Sequence, residues 1–198
     1  IQDHTRVSHA VYERSSGREY RFVPAGPLVQ ESEWRAFLAS IEDLDCDYLV
    51  ASGSLPRGAP EDLYATVADM ARRKGAKLVL DTSGMALRAG ITRGVYLLKP
   101  SLGELETLLG RKLPDPAAQE AAAQELVSSG AAELVALTLG RDGALLATSE
   151  GTLRLGALDV VLKSAVGAGD SFVASMTLGL AQGRSAEDAF GYGMAAGA

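Results

Sequence analysis

The sequence is poor in the residues that build metal clusters and disulfides. Its 198 residues hold one cysteine, Cys46, and two histidines, His4 and His9. A single thiol can form neither an internal disulfide nor a Cys-based metal cluster, and two histidines so near the start leave no His-rich metal site. Cys46 precedes the apolar run Tyr48-Leu49-Val50 and reads as a small packed side chain rather than a reactive thiol. No block of Lys or Arg occurs and the net charge is −6, which argues against a nucleic-acid-binding surface. A small anion would therefore have to be held by local cations and backbone N–H groups. No apolar run nears the ~20 residues of a membrane span, and no charged-then-apolar leader opens the chain. The expectation is a cytoplasmic protein with neither membrane nor nucleic acid as partner. Gly-x-x-x-x-Gly-Lys-Ser/Thr is absent, which excludes a Walker-type loop. Gly167-Ala168-Gly169 lacks the third glycine of a dinucleotide fingerprint, and too little chain follows it to complete a βαβαβ half.

What is present fits one α/β domain. Hydrophobic residues at 47% and charged residues at 22% are ordinary globular values, and the length allows a sizeable core without a second full domain. Val7, His9 and Val11 alternate with Ser8, Ala10 and Tyr12; Ser15-Ser16-Gly17 turns, and Arg18 to Val23 returns with Tyr20 and Phe22 on one side. This predicts a β-hairpin. Trp34, Phe37, Leu38 and Ile41 mark one face of a helix,. Apolar, β-rich runs at about 48–51, 77–80, 95–98 and 134–139 then alternate with helical stretches at about 60–74, 103–109 and 116–129, with Gly75 and Gly130 as C-terminal caps,. That rhythm implies parallel strands with right-handed crossovers and helices on both faces. A second hairpin is expected at 145–147 and 152–155, and helices at 169–182 and 186–198 close the chain. The chain lacks an initiator Met, starts almost at once in a strand and stops in a helical pattern, so a fragment of a longer protein is expected.

Each expected parallel strand ends in a loop of glycines and small polar residues. These are Ser52-Gly53-Ser54-Leu55-Pro56, Asp81-Thr82-Ser83-Gly84, Lys99-Pro100-Ser101-Leu102-Gly103-Glu104 and Thr138-Leu139-Gly140-Arg141-Asp142-Gly143. Open parallel sheets bind ligands outside the carboxyl ends of their strands, so these loops line one crevice. Ser164-Ala165-Val166-Gly167-Ala168-Gly169-Asp170 is expected to join them, at the start of a helix whose N–H groups and dipole favour an anion. Asp170 then fits two roles, a general base or the N-cap of that helix. Asp81, ending a strand, reads first as an Asx cap of the following turn and second as a group near bound phosphates.

The residues also carry a resemblance. Val166-Gly167-Ala168-Gly169-Asp170-Ser171-Phe172 resembles the C-terminal signature of the ribokinase-like carbohydrate kinases, the phosphofructokinase B family. Lys99-Pro100-Ser101-Leu102-Gly103-Glu104-Leu105 resembles that family's Lys-Pro-Asn-x-x-Glu-Leu segment, and Thr138 to Ala144 its nucleotide loop, in the same order and spacing. Ser52 to Pro56, Asp81 to Gly84 and Thr5-Arg6 match the sugar-phosphate kinases within it, the minor-type 6-phosphofructokinases in particular. The resemblance implies a three-layer α/β/α fold with a mostly parallel central sheet. Residues 1–24 would be a remnant of the β-sheet lid and residues 25–198 the nucleotide- and phosphate-binding core, incomplete at both ends.

It further implies an ATP-dependent, Mg2+-assisted transfer of phosphate to a sugar phosphate, fructose 6-phosphate first, with tagatose 6-phosphate or fructose 1-phosphate as alternatives. Asp170 would be the base, and the N–H groups of Gly167, Ala168 and Gly169 the anion hole. Lys99, Thr138, Gly140 and Gly143 would serve the nucleotide, Glu104 and Ser101 the metal, and Arg6, Ser54 and Asp170 the sugar phosphate. Plainer readings stand beside these. Lys99 could be a strand-end lysine in water, Arg6 a surface arginine, Ser54 a turn serine, Gly143 a hairpin glycine and Glu104 a first-turn acid complementing its helix dipole. Ser101 stands where the family has Asn, a hydroxyl in place of an amide, which puts metal affinity in question. A homodimer through the lid sheet is implied as well. A reading of another class is an inactive nucleotide-binding remnant.

Overall fold

Alternating apolar residues near the start fold into the expected hairpin, β1 (His9–Glu13) against β2 (Arg18–Phe22), in the computed structural model, which describes residues 4–160 and 166–198. Its register pairs His9 with Phe22 and Val11 with Tyr20, so these four share one face. Helix α1 (Glu31–Glu42) starts with a capping box in which the Gln30 N–H donates to the Glu33 carboxylate at 2.8 Å. The turn is tied down where the Val29 N–H donates to the Arg57 carbonyl at 2.8 Å. These segments form one compact unit, Ile1–Leu44 with Leu55–Pro60; the second unit is Asp45–Ser54 with Glu61–Ala198.

The second unit alternates strands and helices: β3 (Tyr48–Ser52), α2 (Leu63–Lys74), β4 (Lys77–Asp81), α3 (Gly84–Ile91), β5 (Val95–Leu98), α4 (Leu102–Leu109), α5 (Pro116–Ser128), β6 (Ala132–Thr138), β7 (Ala144–Thr148), β8 (Gly151–Leu155), α6 (Ala168–Ala181) and α7 (Ala186–Gly197). The sheet runs β3-β4-β5-β6-β7-β8, parallel through β6 and antiparallel beyond it. Helix α3 was not expected from the sequence, where its span followed the Asp81-Thr82-Ser83-Gly84 turn. Gly75, with φ 73°, closes α2 in the left-handed conformation that glycine adopts without steric cost.

Register explains why both faces of this sheet are apolar. Val79, Leu97 and Leu134 lie side by side across β4, β5 and β6, and pack with Phe172, Val173, Met176, Leu180 and Phe190 of α6 and α7. The next row, Leu80, Leu98, Val135 and Ala147, points the other way, and Leu80 lies against Gly90 of α3. Because strand side chains alternate, consecutive leucines and valines serve opposite helix layers, and a one-residue slip would exchange them. The result is a three-layer α/β/α arrangement with a mostly parallel sheet. No helix among the described residues is long and apolar enough to cross a membrane.

Candidate active site

Parallel pairing places the carboxyl ends of β3, β4, β5 and β6 along one edge. The loop after β3 is pinned at Gly53, whose φ of 96° suits a residue without Cβ. Its N–H donates to the Asp81 carbonyl at 2.8 Å. Its carbonyl accepts from the Tyr64 hydroxyl and from Thr82 Oγ1, each at 2.9 Å. Ser54, next in the chain, is exposed.

Lys99 is only 6% exposed, which rules out the strand-end lysine in water. Its ammonium pairs with the Asp81 carboxylate at 3.0 Å. Asp81 does not cap the following turn, contrary to the first reading of it. It is still in the sheet ladder, opposite Ser52, so the pleat aims its side chain, and Ser83 is the N-cap residue of α3. Burial raises the Asp81 pKa, Lys99 opposes that rise, and the nearby charges of Glu104 and Asp170 add to it. One buried cation thus stands among several carboxylates. A Cβ on Gly169 would lie 3.6 Å from Lys99 Nζ, so the first turn of α6 runs directly beside that ammonium.

Ser101 and Glu104 close the start of α4 in a capping box. The Ser101 N–H donates to Glu104 Oε2 at 2.7 Å, and the Glu104 N–H to Ser101 Oγ at 3.4 Å. The first-turn reading of Glu104 therefore describes one of its oxygens, Oε2. Next to it, the Thr138 N–H donates to the Pro100 carbonyl at 2.9 Å, which sets the Lys99–Glu104 loop beside residues 138–143. Gly140–Asp142 form a single 3-10 turn. Gly143, with φ 93°, has the Leu155 carbonyl 2.0 Å from where a Cβ would stand. Its glycine is demanded by the β7–β8 hairpin and the chain after it.

Helix α6 starts differently. Its N-cap is Gly167, with φ 83° and no side-chain cap bond, and Asp170 lies exposed in its first turn. Ala168 and Gly169, together with Ser101, Thr138, Gly140 and Gly143, line a cavity of about 700 Å3. Leu158, Val160, Phe172 and Met194 supply its apolar wall, and Arg141 is the one charged residue among the described residues that line it. Such a volume suits a mononucleotide-sized ligand. Arg6 belongs to the first unit, where its side chain passes Gly26. Lys163, Ser164 and Ala165 lie outside the described residues.

Among the described residues, no group of three or more His, Cys, Asp or Glu could hold a metal ion. One carboxylate nevertheless fits Mg2+, which keeps much of its water and takes its remaining ligands from phosphates. Sequence reasoning missed Tyr64 and Thr82. Tyr64 falls on the apolar face of α2 and reads as core, and Thr82 reads as part of a turn. The apolar cavity wall was missed too, because its residues are far apart in the chain.

Comparison with known proteins places these observations. The chain is 42% identical over 196 residues to the ATP-dependent 6-phosphofructokinase isozyme 2 of Mycobacterium tuberculosis, covering 98% of this chain and 58% of that protein. It is 38% identical over 198 residues to the enzyme of the same name from Escherichia coli, covering 99% of this chain and 64% of that one. The crystal structure of Escherichia coli phosphofructokinase-2 in complex with fructose-6-phosphate superimposes with a TM-score of 0.90 at 38% identity, over 96% of this chain and 63% of that one. The chain thus spans less than two thirds of these relatives. The model describing pfkB family carbohydrate kinases matches residues 1–198, and the chain belongs to that family.

Proposed function

We propose that the protein containing this chain is an ATP-dependent sugar-phosphate kinase acting first on fructose 6-phosphate. The observation that carries this reading is the uncapped start of α6, where Ala168 and Gly169 open onto the cavity and Asp170 stands exposed in the same turn. Phosphoryl transfer needs in-line positioning and stabilisation of charge on the moving group. The Asp170 carboxylate takes the proton of the acceptor hydroxyl as the hydroxyl oxygen attacks the terminal phosphorus of ATP, and the bond from that phosphorus to the β,γ-bridging oxygen breaks to release ADP. The N–H groups of Gly167, Ala168 and Gly169 hold the transferring oxygens, and Lys99 lies beside them to receive negative charge. Thr138 and Gly140 serve the nucleotide, and the apolar wall from Leu158 to Met194 suits a base ring. Glu104 and Ser101 would orient Mg2+ by way of water. When bound, Mg2+ neutralises phosphate oxygens. Arg6, whose planar fork suits a dianion, and Ser54 bind the sugar phosphate.

Fructose 6-phosphate is favoured because the two relatives described above carry the name 6-phosphofructokinase. Other relatives at 32% identity are a 1-phosphofructokinase of Bacillus subtilis and a D-tagatose-1-phosphate kinase of Bacillus licheniformis. The hairpin face formed by Val11, Tyr20 and Phe22 is exposed, and a second copy covering it gives the homodimer. The test is ADP release by the intact protein across a panel of hexose phosphates. Turnover is expected to be highest with fructose 6-phosphate. Preference for another sugar phosphate moves the assignment within the family, and no turnover with any sugar leaves the inactive remnant.

A further inference from the structure

The Gly53 peptide is held more completely than a surface turn requires. Its N–H is used by the Asp81 carbonyl, and its carbonyl takes two donors at 2.9 Å, the Tyr64 hydroxyl from α2 and Thr82 Oγ1 from the end of β4. A carbonyl oxygen has two lone pairs, so its capacity is filled. Both donors are buried, Tyr64 at 8% and Thr82 at 5% exposure. The other buried residues of α2 are apolar, Leu63, Ala65, Val67, Ala68, Met70 and Ala71, and a phenylalanine at 64 would bury as much apolar surface. Among the described residues, the partner of the Tyr64 hydroxyl is the Gly53 carbonyl. The same Asp81 whose backbone holds Gly53 holds Lys99 through its carboxylate at 3.0 Å. The loop carrying Ser54 and the ammonium beside α6 are thus referenced to a single residue.

We infer that Tyr64, seconded by Thr82, is a positioning residue that fixes the Gly53-Ser54 loop relative to Lys99, and so sets the acceptor sugar phosphate in line with the transferring phosphoryl group. The inference rests on the kinase reading, in which Ser54 contacts the sugar. Its physical basis is the steep dependence of transfer on geometry, where a displacement of about 1 Å can cost about a hundredfold. Burial, then the Asp81 charge, raises the Tyr64 pKa, which keeps the hydroxyl a donor across the working pH range.

The experiment uses the intact protein with Tyr64→Phe, and Thr82→Val as a second variant that leaves Tyr64 in place. Steady-state ADP release should show the KM for fructose 6-phosphate rising about three- to tenfold, the effect of one lost hydrogen bond, with the KM for ATP unchanged. Hydrogen exchange over residues 52–55 should accelerate in both variants, and more in the double variant. Equal rises in both KM values, or unaltered exchange at 52–55, would overturn the assignment. Should the unsubstituted protein phosphorylate no sugar, the kinase reading falls, while faster exchange in the variants would still establish the clamp.

Discussion

Two helix N-termini face the same cavity and are finished in opposite ways. Helix α4 is closed by its own residues, with Ser101 and Glu104 exchanging bonds across the first turn. Helix α6 begins at a glycine that has no side chain to offer, and no side-chain cap is made there. Each start carries roughly half a positive charge from the aligned peptides. At α4 the chain's own carboxylate bonds back to the cap residue, whereas α6, with Asp170 in its first turn, has no side-chain cap bond and opens onto the cavity. Helices α5 and α7 follow the α4 pattern, with Asp115 accepting from the Ala118 N–H at 2.8 Å and Ser185 from the Asp188 N–H at 3.1 Å. Helices α2 and α3 also lack a side-chain cap bond; what sets α6 apart is a glycine N-cap, a first turn beside the buried Lys99 and an opening onto the cavity.

The largest effect expected from this contrast lies at the open end. Asp170→Asn in the intact protein should retain ATP binding and lower the turnover number at least ~10²-fold, since a positioned base contributes about 10²–10⁴. Asp170 is exposed, so the fold should be untouched. Equilibrium binding of ATP and single-turnover kinetics separate the two, and an unaltered turnover number would remove Asp170 as the base.

Gly169→Ala comes second and separates folding from function most cleanly. Gly169 is not among the glycines with positive φ, so alanine fits the backbone, and alanine is the better helix former by up to ~1 kcal/mol. Its methyl would stand 3.6 Å from Lys99 Nζ, in the space a phosphoryl oxygen needs. The expected outcome is a thermal midpoint equal to or above the parent, with turnover lowered about tenfold, ~1.4 kcal/mol in the barrier. A loss of stability in step with activity would instead make Gly169 a packing residue.

Most of the fold was legible because its signals are local. Apolar runs bounded by glycine placed β4 at Lys77–Asp81 and β5 at Val95–Leu98 within a residue. Helix α3 escaped notice because it is short, begins at Gly84 and contains Gly90, so it offers neither the length nor the periodicity of a helix. The site was legible as a set of loops, since strand ends in a parallel sheet must gather. Its wiring was not. That Asp81 pairs with Lys99, or that Tyr64 reaches Gly53, depends on which way a pleat or helix face points a side chain, and sequence spacing does not carry that. The sequence reads Glu104 both as a metal ligand and as a first-turn acid, and the capping bond to Ser101 bears on the second reading alone.

At the closed end the effect should be smaller and of the other kind. Ser101→Ala removes a cap whose bond to the Glu104 N–H is long, 3.4 Å, so the loss should sit near the low end of about 0.5–2 kcal/mol. Thermal denaturation should register it, and in the proposed metal role the Mg2+ concentration needed for half-maximal activity should rise, while the turnover number at saturating Mg2+ changes little. Ser101→Asn keeps a capping oxygen and adds amide donors, so stability should hold and the Mg2+ concentration needed for half-maximal activity should fall. A large loss of turnover at saturating Mg2+ in Ser101→Ala would show that both helix starts hold the reacting phosphate directly and would dissolve the contrast.

The smallest effect belongs to Arg141, which separates fixed dipoles from mobile charge. It is the one charged residue lining the cavity among the described residues and is exposed on the 3-10 turn after β6. An exposed guanidinium attracts a polyphosphate through water and is screened by salt, so its contribution should be about 0.2–1 kcal/mol. The N–H groups of α6 are fixed by the backbone and lose little to salt. Arg141→Ala should therefore raise the KM for ATP about two- to fivefold at low ionic strength, leave the turnover number alone, and lose most of that difference near 0.5 M salt, where the screening length is only about 4 Å. If the rise in KM persists at high salt, Arg141 makes a direct, desolvated contact with the nucleotide, and the anion site is shared between a side chain and the open end of α6.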